Sequence, residues 1–162
     1  MEQAFAPLTE QWIQVSPRLR SLRRVVLLCW GVPIALAAGL LLGILVQPAL
    51  GAIAVLPIAA IGAWGWWLIG RNWRYWRYAE REDDLLVTNG FMFRRLVVVP
   101  YGRMQFVDVA AGPLERRFGI ATVQLHTAAE ATDASIPGLT MHEATRLRDR
   151  LAMLGETRSA GL

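Results

Sequence analysis

The chain has 162 residues, 54% of them hydrophobic and 19% charged, with a formal net charge of +4. Every basic residue is arginine and the one cysteine, Cys29, stands alone, which excludes an intrachain disulfide framework and a cysteine zinc site. Residues 1–24 carry four Arg against two Glu, and residues 71–162 carry thirteen Arg against eleven acids, too weak an excess for a nucleic-acid surface.

The complete preference for Arg over Lys is the codon usage of a GC-rich genome and points to a bacterial source. Residues 1–24 read as a cytoplasmic N-terminal arm. Between Val25 and Gly70 there is no Asp, Glu, Lys, Arg or His. Residues 25–46 form an apolar run whose helical length, at about 1.5 Å per residue, matches a bilayer core of about 30 Å. Gln47-Pro48 breaks it, and residues 50–70 form a second run of similar length. A signal peptide does not account for two runs. The spacing predicts a transmembrane helical hairpin over 25–70.

The flanks give its orientation. Arg18, Arg20, Arg23 and Arg24 precede the first run, Arg71, Arg74, Arg77 and Arg81 follow the second, and the turn near Gln47 is uncharged. The positive-inside rule then expects both termini in the cytoplasm of a multi-pass plasma-membrane protein. Trp64, Trp66 and Trp67, with Arg23, Arg24, Arg71 and Arg74, are the expected interface anchors. Gly31, Ala35, Gly39 and Gly43 fall on one helix face, where small residues let backbones approach. They are expected to pack against the second helix or against another protomer. Pro33 and Pro57 are candidate kinks.

After Gly70 the texture changes to residues 71–155, a cytoplasmic domain. The segment 73–78 reads either as a helix extension or as a first strand, and Glu80–Asp84 as a solvated acidic run. Two β-prone runs, Leu85–Thr88 and Phe91–Val99, flank Asn89-Gly90, a hairpin signal. Met104–Ala110 and Ile120–Thr127 read as strands, with a helical turn over Leu114–Phe118 between them. Ala128–Ser135 reads as a loop and Ile136–Leu139 as a short strand. Thr140 and Glu143 have capping-box spacing. Ala144, Leu147, Leu151 and Leu154 then recur at helical spacing toward Gly155, a candidate C-cap, leaving 156–162 as a flexible tail.

The order of two membrane helices, Gly90-Phe-Met-Phe-Arg-Arg95, Val99-Pro-Tyr-Gly-Arg-Met-Gln-Phe-Val107, Gly112-Pro-Leu-Glu-Arg-Arg-Phe-Gly119 and a closing helix resembles the bacterial pleckstrin-homology-like membrane protein family. The resemblance is to short, single-domain members with an N-terminal helix hairpin. It implies an α+β membrane protein whose PH-like β-sandwich, or partly open barrel, is capped by a C-terminal helix. It also implies a non-enzymatic role, because the family is not regarded as catalytic.

No nucleophile elbow, phosphate loop or metal-ligand spacing is present around His126, His142 or the serines, so no catalytic residue, metal, cofactor or small-molecule substrate is expected. Arg94, Arg95, Arg103, Arg116 and Arg117 are the basic residues of the family motifs. They are expected either as surface charge and ion pairs with Asp108 or Glu115, or as a lipid- or partner-binding patch. Adjacent Arg94 and Arg95 would face opposite sides of a strand, unlike a dense inositide cradle. The expected function is a membrane-anchored interaction module whose partner is a protein or a second copy, with the bilayer itself. The alternatives are a sensor of anionic inner-leaflet lipid or an accessory subunit of a transporter or enzyme.

Overall fold

The computed structural model describes residues 11–45, 47–128 and 133–160. Residues 1–10 of the N-terminal arm, Val46 at the end of the first apolar run, 129–132 of the predicted loop and 161–162 of the tail lie outside them. The chain divides into two compact units. One is Arg20–Arg71; the other is built from residues up to Leu19 and from Asn72 onward.

The first unit holds most of two helices, α1 (Arg18–Leu45) and α2 (Pro48–Trp73). Pro48 opens α2, where its missing N–H costs nothing. Both helices run through their internal prolines, Pro33 and Pro57. Among the described residues α1 is the one helix long and apolar enough to cross a membrane, and its most apolar window has no buried residue. Trp30, Leu36 and Ile44 are among its exposed apolar side chains. Apolar surface of this extent requires a non-aqueous covering. The chain is a membrane protein.

The second unit is two antiparallel sheets and a closing helix. Strands β1 (Ile13–Gln14), β2 (Arg77–Glu80), β3 (Asp84–Asn89) and β4 (Arg95–Pro100) form one meander. A 3-10 turn at Tyr101–Arg103 leads to β5 (Met104–Ala110), α3 (Pro113–Phe118), β6 (Ile120–Thr127) and β7 (Ala134–Thr140). Strands β5, β6 and β7 form the second sheet, and α4 (Met141–Ala160) follows. Alternation along β6 buries Ala121, Val123, Leu125 and Thr127, as a half-buried strand requires. Ala144, Leu147 and Leu151 of α4 are fully buried with Tyr78, Leu85, Val99 and Ile120. Each such large side chain contributes about 1.5–3 kcal/mol by leaving water.

The sheet starts in the N-terminal arm. Ile13 pairs with Tyr78 and Gln14 with Arg77, so both helices sit inside the connection between two paired strands. Residues 73–78 resolve as helix up to Trp73 and strand from Arg77. The two chain crossings are held together within the domain. The Trp73 indole N–H lies within hydrogen-bond reach of the Ser16 (3.0 Å) and Val15 (3.2 Å) carbonyls, and Ser16 N–H donates to Gly138. Val15 and Leu19 are buried. A Cβ at Gly138, whose φ is +75°, would stand 2.6 Å from that of Leu19.

Three local expectations are corrected. The β3–β4 hairpin forms, but Asn89 pairs with Arg95 in the ladder, so the turn is Gly90–Arg94. Only Gly90 takes a positive φ there, whereas a two-residue Asn-Gly turn needs two. Glu80 is not a solvated acid: its side chain is 9% exposed and takes Arg146 and Arg150. Gly155 does not end α4, which continues to Ala160; one internal glycine costs a helix only about 1 kcal/mol.

Candidate functional site

The five motif arginines do not form one patch. Arg94 and Arg95 are exposed on the β3–β4 turn and at the start of β4. The Arg94 guanidinium lies 5.0 Å from the centre of the Tyr75 ring, and that ring is 5.5 Å from Phe91. Tyr75 is only two residues beyond the end of α2, so the turn is tied to the segment by which the chain leaves that helix. Met92 and Phe93 at its apex are 69% and 88% exposed.

Arg116 and Arg117 are exposed on α3, a short helix opened by Pro113 and closed by Gly119 in the left-handed region. Arg18 at the start of α1 reaches the Phe118 carbonyl at 3.5 Å, so α3 also neighbours a root of the helix pair. Exposed Leu114 lies on the same helix. Glu115 and Asp108, the expected acidic partners, serve the fold. Glu115 accepts from the Gly112 N–H and the Thr122 hydroxyl, and Asp108 from the Val109 N–H.

Arg103 stands apart. It ends the turn after β4, and β4 runs away from Arg95 toward Pro100, which pairs with Asp84. The Arg103 carbonyl accepts from Ala128 N–H at the corresponding end of the second sheet.

That far end holds a charge network. Glu80 binds Arg146 and Arg150, and Arg146 also bonds Glu143. The Tyr78 hydroxyl donates to Glu143 at 2.7 Å. The Arg146 hydrogen bonds hold the Glu143 carboxyl below the ordinary carboxylate range. Burial, with Glu143 beside it, raises the Tyr78 phenol, and burial with Glu80 nearby pushes Tyr101 up to about 12. The Tyr101 hydroxyl donates to the Arg81 carbonyl at 2.9 Å. The Thr140 hydroxyl accepts from Glu143 N–H at 3.3 Å, so Glu143 starts α4 and joins it to β2. The Glu80 link was within reach of sequence reasoning, since Arg146 and Arg150 are one helical turn apart.

In the helix pair, Gly39 and Gly43 face Gly51 of α2; a Cβ at Gly51 would stand 2.8 Å from the Gly43 Cα. Gly31 and Ala35 instead line an apolar groove of about 420 Å³ with Ala59 and Gly62. The Arg24 guanidinium lies 4.3 Å from the Trp66 ring and that of Arg71 lies 4.9 Å from Trp67. Trp64 and Arg74 are exposed, Arg23 half-buried.

His126 stacks on Phe106 at 4.3 Å and meets Asp133 at 3.2 Å. Asp133 also accepts from Thr127 N–H, which fixes where β6 ends. Among the described residues no group of three His, Cys, Asp or Glu side chains is placed to hold a metal ion.

The sequence profile described as Bacterial PH domain matches residues 20–154. UPF0699 transmembrane protein YdbS of Bacillus subtilis (strain 168) is 42% identical over 81 residues, 50% of this chain and 50% of its own. The chain thus spans about half the length of that curated relative. No solved structure matches.

Proposed function

The chain belongs to the bacterial PH domain family, and from that premise we propose a non-enzymatic interaction module, anchored in the plasma membrane by both helices. Both termini lie in the cytoplasm, because arginines flank α1 and α2 at their domain ends while Gln47 sits in an uncharged turn. α2 is the second span: its 26 residues expose Ile53, Leu56 and Ile61. Residues 25–46 and 50–70 are the stretches within hydrocarbon, and the domain comprises β1 together with the chain from Asn72 through α4.

The observation that carries this reading is the placement of the helix pair between β1 and β2. Here only residues 15–17 and 74–76 separate helix from strand, and Trp73 and Ser16 are hydrogen-bonded into the fold. Two short chain crossings, and not one long linker, thus join the domain to its anchor. Strand β4 ends its sheet and exposes Val98, an edge to which a protein partner or a second copy adds a strand.

The test is cross-linking of the full chain in native membranes, with Val98→Lys as the variant, since a lysine blocks edge pairing. The expected result is a defined complex, insensitive to lipid charge, that disappears in Val98→Lys while membrane insertion persists. A complex unchanged by the substitution would rule out the β4 edge.

A further inference from the structure

An antiparallel meander alternates its connections between the two ends of the sheet. The β1–β2 and β3–β4 connections therefore lie at the same end. The first is the membrane helix pair and the second is Gly90–Arg94. The register makes this local: Gln14, Arg77 and Thr88 form one row, and Asn89 pairs with Arg95 one step further out. With strands about 4.8 Å apart, the turn emerges within about 15 Å of both roots.

Its composition is unlike that of an ordinary cytoplasmic turn. Phe91 packs on Tyr75, but Met92 and Phe93 project, 69% and 88% exposed, with Arg94 and Arg95 directly behind them. The turn is also a shaped one. A Cβ on Gly90 would collide with the Phe93 carbonyl oxygen, so glycine is required to fold the apex back. By contrast exposed Phe106, on β5, is stacked on His126.

We propose that the β3–β4 turn is a membrane wedge: Met92 and Phe93 enter the boundary between head groups and acyl chains, and Arg94 and Arg95 bind the phosphates of anionic phospholipid. The apolar apex suits the interface and the guanidinium groups suit phosphate oxygens, so the turn matches its occupant in both respects. It leaves the same end of the sheet as the two chain segments that lead into the helices. The inference rests on the membrane anchoring proposed above, and it makes the domain's contact with lipid two-pronged.

The test uses the full chain in proteoliposomes of phosphatidylcholine, with or without phosphatidylglycerol. Cys29→Ala removes the native thiol, and Phe93→Cys carries an environment-sensitive fluorophore; Arg103→Cys is the far-end control. The expected result is that the label at 93 is quenched by spin-labelled acyl chains and shielded from aqueous iodide, whereas the label at 103 behaves oppositely. Insertion should deepen with phosphatidylglycerol and weaken about five-fold for each of Arg94→Gln and Arg95→Gln. Iodide quenching at 93 equal to that at 103, or shielding from both quenchers, would overturn the wedge. Insertion indifferent to phosphatidylglycerol would overturn the role given to the arginines. Met92→Cys repeats the reading if Phe93→Cys fails to insert. Release of the unlabelled chain by alkaline carbonate would instead defeat the anchoring itself, which separates the two failures.

Discussion

The two ends of the four-stranded sheet use the same residue types in opposite ways. At the far end, Arg146 and Arg150 close on Glu80, whose carboxylate is almost out of water, and the α4 network joins β2 to the closing helix. At the root end, Arg94 and Arg95 are exposed behind an apex of exposed Met92 and Phe93. At the far end the guanidinium groups close on carboxylates; at the root end Arg94 lies over the Tyr75 ring and stays exposed with Arg95. A basic count along the sequence does not separate these roles, because the difference lies in which side chains the fold brings beside each arginine.

Substitutions should break this contrast in graded order. Leu147→Ala in the sealed core is expected to cost about 3 kcal/mol and to lower the thermal midpoint of the detergent-solubilised chain most. Glu80→Ala, which removes the buried carboxylate shared by Arg146 and Arg150, should cost about 2 kcal/mol, and Glu80→Gln should recover part of that in the same assay. The paired change Met92→Ser with Phe93→Ser should move the midpoint by less than about 0.5 kcal/mol, since those side chains support no core. Arg103→Gln should be smallest in both stability and lipid contact.

The pH dependence sharpens the far end. The Glu143 carboxyl is held low in the folded chain, so its contribution is present above its ordinary value near 4.5 and is lost as pH falls through the lower folded value. Tyr101 is the reverse case. Its folded value is raised from 10.0 to about 12, so its contribution is intact below pH 10 and is lost as pH rises toward 12. Thermal midpoints measured across both windows should show these falls, and Glu143→Gln should flatten the acid one.

Much of the fold was legible because its signals are local. The charge-free run predicts helices, and alternation over Ile120–Thr127 and helical spacing from Ala144 to Leu151 match β6 and α4. β1 was hidden because two residues, Ile13 and Gln14, carry no periodicity and their partner strand lies beyond both helices. Glu80 was misjudged because an acidic run looks solvated until α4 is laid beside it. The five motif arginines were named, but the separation of Arg103 from Arg94 and Arg95 follows from the course of β4, and Arg116 and Arg117 lie on α3, none of which sequence spacing encodes.

The central claim is that the helix pair interrupts a β-hairpin, so that β1 and β2 pair across it. In a Cys29→Ala background, Gln14→Cys with Arg77→Cys tests this directly by oxidation of the full chain in membranes. The account expects a rapid disulfide for that pair, which shares one register row. It expects none for Gln14→Cys with Glu80→Cys, three residues out of step. Equal cross-linking of the two pairs, or none in either, would contradict it.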